Sequence, residues 1–175
     1  DGAAFQRLAT VSTIVFDKTG TLTTGKPTVR KITTFREDVD ELMYSMAKQS
    51  HHPLSKALVA YFEEGQKLNS TLPLENVKET PGLGVLATFR GKVYSLGKPR
   101  RTEDVKDFID ATDSTVALYD ETDQVLLAVC ALTDPLREDA AAAIEELKKM
   151  AIEPVLLSGD REEVVKAVAE TVGIK

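Results

Sequence analysis

Apolar residues recur along this chain in three patterns, and the changes between them mark out its parts. Thr13-Ile14-Val15-Phe16 is apolar and β-branched without polar alternation, and it stops at Asp17. Such a run predicts a strand covered on both faces, as in a parallel sheet. Pro154-Val155-Leu156-Leu157 repeats it near the other end and stops at Ser158-Gly159-Asp160. Between the two, alternation takes over. Thr28 to Phe35 and Asn76 to Thr80 read as strands, and Val85 to Phe89 with Val93 to Leu96 as a hairpin turning at Arg90-Gly91-Lys92. Thr115 to Tyr119 and Gln124 to Leu132 form a second hairpin about Asp120-Glu121-Thr122-Asp123.

The third pattern has helical spacing. Leu42, Met43, Met46 and Ala47 predict a helix capped by Asp40 and ending near Ser50. Leu54, Leu58, Tyr61 and Phe62 predict another from Pro53 to about Glu64, started by the proline and ended by Gly65. Val105, Phe108 and Ile109 mark a short helix over Thr102 to Asp110 with Thr102 as cap. Leu136, Ala140, Ile144, Leu147 and Met150 share one face of a helix capped by Asp134 and begun by Pro135. Asp160 and Glu163 make a capping box for a last helix through Val172, closed by Gly173. Phe5, Leu8 and Ala9 suggest a short leading helix.

Thr24-Gly25-Lys26-Pro27 is a turn or linker, and the chain returns at Thr133-Asp134-Pro135. The expected fold is α/β in two parts. Residues 1–27 and 133–175 surround the parallel strands, and 28–132 form an inserted α+β domain, an antiparallel sheet with two long helices on one face.

Composition narrows the picture. The 175 residues are 42% hydrophobic, enough for a core, and carry a formal net charge of -6. With a pI near 5.1, general binding to nucleic acid or an anionic membrane is disfavoured. The single Cys130 sits in an apolar run, reads as a small buried hydrophobe and excludes an internal disulfide framework. The longest apolar run, Val125 to Leu132, is too short to span a bilayer, and the opening Asp-Gly-Ala-Ala lacks the features of a signal peptide.

The chemistry centres on Asp17-Lys18-Thr19-Gly20-Thr21-Leu22-Thr23. A carboxylate at the carboxyl end of a buried strand stands where α/β sheets bind ligands, and Gly20 allows backbone N–H groups to converge on an anion. The arrangement suits an aspartyl phosphate. Asp17 is the nucleophile, Asp17 and the Thr19 carbonyl hold Mg²⁺, Thr21 binds phosphoryl oxygens and Lys18 adds positive charge.

This stretch resembles the phosphorylation motif of P-type ATPases, a branch of the haloacid dehalogenase superfamily. The fold this implies for the first part is a partial Rossmann-like phosphorylation domain, and for the insert a nucleotide-binding domain. Related phosphatases carry a second Asp where Thr19 stands. Threonine does not titrate near neutral pH, so the aspartyl phosphate is expected to persist, as a pump requires.

Ser50-His51-His52-Pro53-Leu54 resembles the Ser-Glu-His-Pro-Leu signature of the heavy-metal P-type ATPases, with His51 in place of Glu. The resemblance implies that His52 helps position ATP, and a flat, uncharged ring at a helix N-terminus suits stacking on adenine. The alternatives are a metal site and a plain helix cap. Gly82 and Gly84 resemble the family's Gly-x-Gly beside the nucleotide, and Gly97-Lys98 looks more like zinc, cadmium or cobalt transporters than copper ones. Ser158-Gly159-Asp160 is similar to the family's Thr-Gly-Asp, whose hydroxyl and Gly N–H bind the transferred group. Asp160 also reads as a cap.

The resemblance implies a cytoplasmic portion of an integral membrane transporter, with ATP and Mg²⁺ as cofactors and the actuator and transmembrane domains as partners. The transported ion is not expected to bind here. A phosphate-binding lysine and a later Gly-Asp-Gly-x-Asn-Asp stretch of the family have no counterpart, so the phosphorylation domain is expected to be incomplete at its C-terminal side. Nucleotide binding without turnover, and a soluble phosphatase with an inserted cap, stay open.

Overall fold

The structure, a computed structural model, describes residues 13–17, 22–65, 68, 70–157 and 162–174. They fall into two compact units, one on either side of breaks at Gly25/Lys26 and Asp134/Pro135, with the outer segments forming the first unit and 26–134 the second. The leading helix expected about Phe5 and the capping box at Asp160 lie outside the described residues.

The first unit is built on two parallel strands, β1 (Thr13–Asp17) and β8 (Glu153–Leu157), in register from Thr13 opposite Glu153 to Asp17 opposite Leu157. Helices α4 (Ala140–Lys149) and α5 (Glu162–Val172) pack on β8. Their Ala140, Ile144 and Val172 enclose a core with Leu22 and Ile174, against which Phe16 and Leu156 lean. Both helices therefore serve one face. Val15 and Val155, a register pair on the opposite face, are 59% and 36% exposed. This corrects the expectation of a strand covered on both faces: among the described residues, apolar content here marks a strand with one covered side.

The helix expected from Pro135 begins only at Ala140, with Asp139 rather than Asp134 at the cap position. The reason is a pairing the local pattern does not reveal. Thr23 bridges Leu136 in antiparallel fashion, flanked by bonds from Thr24 N–H to the Pro135 carbonyl and from Arg137 N–H to the Leu22 carbonyl, each 2.9 Å. An extended Leu136 cannot start a helix, yet it still packs on the core. At the other end Met150 is 51% exposed rather than inward. Ala151 adopts φ 58° and turns the chain, Ile152 N–H reaches the Leu147 carbonyl at 3.0 Å, and Ile152 takes the buried place. Gly173, at φ 84°, ends α5 in the same way.

The second unit is a six-stranded antiparallel sheet in the order β2 (Thr28–Thr34), β7 (Val125–Thr133), β6 (Ser114–Asp120), β5 (Lys92–Gly97), β4 (Gly84–Phe89), β3 (Glu75–Thr80). Helices α1 (Asp40–Ala47) and α2 (Pro53–Glu64) cover one face. Met43, Met46, Leu58 and Phe62 meet Val85, Leu96, Leu118 and Cys130 there, all buried. The other face carries Ala117, Tyr119 and Val129, on which Val105 packs from a short helix, α3 (Thr102–Val105), with its 3₁₀ continuation to Phe108.

Three details depart from the sequence pattern. Asp40 is the first residue of α1 rather than its cap, and its charge faces the positive end of the helix. Thr102 likewise starts α3 while Arg101 holds the cap position. The helix expected to run to Asp110 stops early, because the buried Asp113 carboxylate accepts the Asp110 N–H at 2.7 Å and draws the chain aside. The same carboxylate accepts both arms of Arg30 from β2.

Arg90 and Gly91 form a tight hairpin with φ 48° and 77°, the geometry that matches strand twist. Cys130 is buried, its Sγ 3.3 Å from Met43 Sδ, and burial pushes its thiol well above the usual range. That makes it an inert packing residue. At the unit's boundary Thr28 pairs with Thr133, their hydroxyls 3.0 Å apart.

Candidate functional site

Asp17 is the last residue of β1 and stands opposite Leu157, the last of β8. The strands are parallel, so their carboxyl ends, at Asp17 and Leu157, lie side by side at ordinary strand spacing of about 4.8 Å. The Asp17 carboxylate and residues Lys18, Thr19, Thr21, Ser158, Gly159 and Asp160 lie outside the described residues, and so does the Mg²⁺ set of Asp17 and Thr19.

The remaining candidates gather along one edge of the second unit. Pro53 opens α2, and His52 takes the cap position in extended geometry with φ -69° and ψ 139°. Leu54 N–H donates to His52 Nδ1 at 3.1 Å. An accepting Nδ1 assigns the ring proton of the uncharged form to Nε2, and both histidines are exposed. The cap reading of His52 is thus met, and it leaves the ring face and Nε2 available.

The loop before α2 is tied to β3. His51 N–H donates to both Glu79 carboxylate oxygens, at 3.1 and 3.3 Å. His52 N–H donates to Ser50 Oγ at 3.1 Å, and that hydroxyl in turn bonds the Glu79 carboxylate. The Ser50 hydroxyl first, then the His51 N–H and the nearby imidazoles, hold the Glu79 carboxyl below the usual carboxylate range.

Three residues on, the chain turns through Pro81, Gly82 and Leu83. Gly82 has φ 81° and open space where a side chain would stand. Leu83 beside it is 66% exposed. Gly84 pairs with Gly97, and a Cβ on Gly97 would lie 2.0 Å from the Leu83 carbonyl oxygen. Lys98 N–H donates to that carbonyl at 2.9 Å, while the Lys98 side chain is exposed.

His51, His52, Pro53, Gly82, Gly84, Gly97 and Lys98 are thereby linked through Glu79 and Leu83. Sequence reasoning named neither linker as a site residue. Only the β3–β4 register, which sets Glu79 opposite Val85 on the helix-covered face, singles out the first. Among the described residues no group of three His, Cys, Asp or Glu side chains is arranged to hold a metal, so the His51–His52 pair has no third ligand of these kinds there.

A surface combining an imidazole face, an exposed leucine and bare glycine backbone offers a flat apolar ring a place to lie, with polar groups at its rim. The haloacid dehalogenase-like hydrolase profile matches residues 11–175. The chain is 32% identical to the probable copper-importing P-type ATPase A of Enterococcus hirae, over 99% of this chain and 25% of that protein. It is 33% identical to the zinc-transporting ATPase of Bacillus subtilis, over 99% and 29%. It spans about a quarter of the length of these curated relatives. Among solved structures, the catalytic domain of the CPx-ATPase CopB-B, described in terms of its change upon nucleotide binding, aligns with a TM-score of 0.79 at 26% identity, over 100% of this chain and 63% of that one.

Proposed function

The chain belongs to the haloacid dehalogenase-like hydrolase family, and on that premise we propose that it is the ATP-binding and phosphorylation region of a heavy-metal cation-transporting P-type ATPase. In this reading residues 1–27 and 133–175 are the phosphorylation domain and 28–132 the nucleotide-binding domain. The observation that supports it is the register of Asp17 with Leu157: two adjacent parallel strands end together, one at Asp17 and the other at the residue that precedes Ser158 in the sequence.

An Asp17 carboxylate oxygen attacks the γ-phosphorus of ATP, the bond from that phosphorus to the bridging oxygen breaks, and ADP leaves. Ser158 and Gly159 bind the transferred oxygens, as Lys18 and Thr21 do from the first loop. A carboxylate and a peptide carbonyl are the oxygen donors a hard divalent cation takes, so Asp17 and Thr19 fit Mg²⁺, which when bound neutralises the charge of the transferred group. Thr19 carries no titrating group to hydrolyse the product, and the aspartyl phosphate accumulates.

ATP lies along the edge formed by His52, Gly82, Leu83 and Gly84, its base against the imidazole and its chain over bare backbone. Among the described residues no helix is long and apolar enough to cross a membrane. The transmembrane and actuator domains belong to other parts of the transporter, and this region lies on its cytoplasmic side.

The test is labelling of the complete transporter with γ-labelled ATP. A hydroxylamine-sensitive phosphoprotein that disappears in Asp17→Asn is the expected result. Steady turnover of small phosphate esters with no trapped label would overturn it in favour of a phosphatase.

A further inference from the structure

The edge that carries His52 and the glycines contains a single carboxylate. Across the segments 50–54, 79–84 and 96–98 the only acidic side chain is Glu79. It stands on β3 opposite Val85, one register pair before Thr80 and Gly84. Val85 is buried beneath α1 and α2, so Glu79 points to the helix-bearing side of the sheet, toward the start of α2.

This carboxylate is fixed rather than free. It accepts the His51 N–H and the Ser50 hydroxyl, and Ser50 in turn accepts the His52 N–H. A carboxylate has about four lone-pair sites, so these two donors leave acceptor capacity. Glu79 as a residue is half-buried, and three residues on the chain passes through the open Gly82 turn with exposed Leu83. A flat base resting there against His52 meets, at its rim, an oriented acceptor that cannot donate.

We propose that Glu79 is a specificity-determining residue for the nucleobase, accepting a hydrogen bond from the exocyclic amine of adenine. The inference rests on the reading of this edge as the ATP site. Adenine presents an amino donor where guanine presents a carbonyl acceptor. A held carboxylate therefore attracts the first base and repels the second. On a partly solvated edge one such contact gives roughly tenfold discrimination.

The experiment is calorimetric titration of the full 175-residue chain with ATP and with GTP, for the unmodified protein, Glu79→Gln and Glu79→Ala, with thermal melts confirming that each is folded. The unmodified chain is expected to prefer ATP about tenfold. Glu79→Gln keeps an oxygen for the His51 N–H but turns an amide donor outward, so ATP weakens while GTP strengthens and the preference closes or inverts. Glu79→Ala removes the attraction for adenine and the repulsion of guanine together, so the two affinities converge without inverting. An unchanged ATP-to-GTP ratio in both variants, including an equal loss for both nucleotides, would overturn the proposal and leave Glu79 as a loop tether. Absence of any nucleotide binding by the unmodified chain would instead remove the underlying assignment of the edge, and this inference with it.

Discussion

Gly84 and Gly97 face each other across the β4–β5 ladder so closely that a Cβ built on either lies 2.7 Å from the other's Cα. The crowding is backbone on backbone, with no flexible side chain to yield. Gly84→Ala and Gly97→Ala should each cost about 2–3 kcal/mol of unfolding free energy, read from urea midpoints. Gly82→Ala is the contrast. Nothing lies within 4 Å, so its φ of 81° alone is strained, at about 1 kcal/mol. Its larger effect is expected on nucleotide affinity, since the methyl fills the bare surface.

One pair of variants separates the cap role of His52 from its proposed role at the nucleotide. His52→Asn keeps an acceptor for the Leu54 N–H and should leave stability within about 0.5 kcal/mol, whereas His52→Ala should cost about 1 kcal/mol. Both are expected to lower ATP affinity similarly, because both remove the ring. If only the alanine variant affected binding, the histidine would be a cap and nothing more.

Ala151 offers a stabilising change. It closes α4 at φ 58°, a conformation that glycine adopts without steric cost. Ala151→Gly should raise stability by about 0.5–1 kcal/mol, the relief of left-handed strain exceeding the added freedom of the unfolded chain. Thermal and urea unfolding of the two proteins would measure it.

The Glu79 tether has a definite pH window. Its carboxyl is held below the usual range, chiefly by the Ser50 hydroxyl. A depressed value means that the tether's contribution is complete above the unfolded value of about 4.3 and is lost as pH falls through the folded one. The Glu79 side-chain carboxyl resonance, followed from pH 7 downward, should therefore show its titration only below about 4.3. A midpoint at or above that value would show that the tether does not hold the carboxylate.

What the sequence disclosed was whatever depends on local chemistry. Pro53 begins a helix because its missing N–H is no loss there, and Arg90-Gly91 turns because a glycine follows. Asp17 ends a strand, and the alternating segments of the insert became an antiparallel sheet with both long helices on one side. Features set by distant partners were hidden. Leu136 has helical spacing but is held extended by Thr23, and Met150 fits the apolar stripe but yields its buried place to Ile152. Val15 stays exposed although its run is apolar, since coverage depends on which elements pack there. Glu79 carries no local signature at all, and its relation to His51 exists only once β3 is aligned beside α2.

The paired threonines at the boundary make the insert portable. Thr28 and Thr133 close the 26–134 stretch upon itself, while Thr23 and Leu136 hold the two cut ends of its host side by side. A cassette with adjoining ends can be lifted out, resized or exchanged with little disturbance to the scaffold that carries it. On the function proposed above, nucleotide preference and phosphoryl chemistry would be separately inheritable.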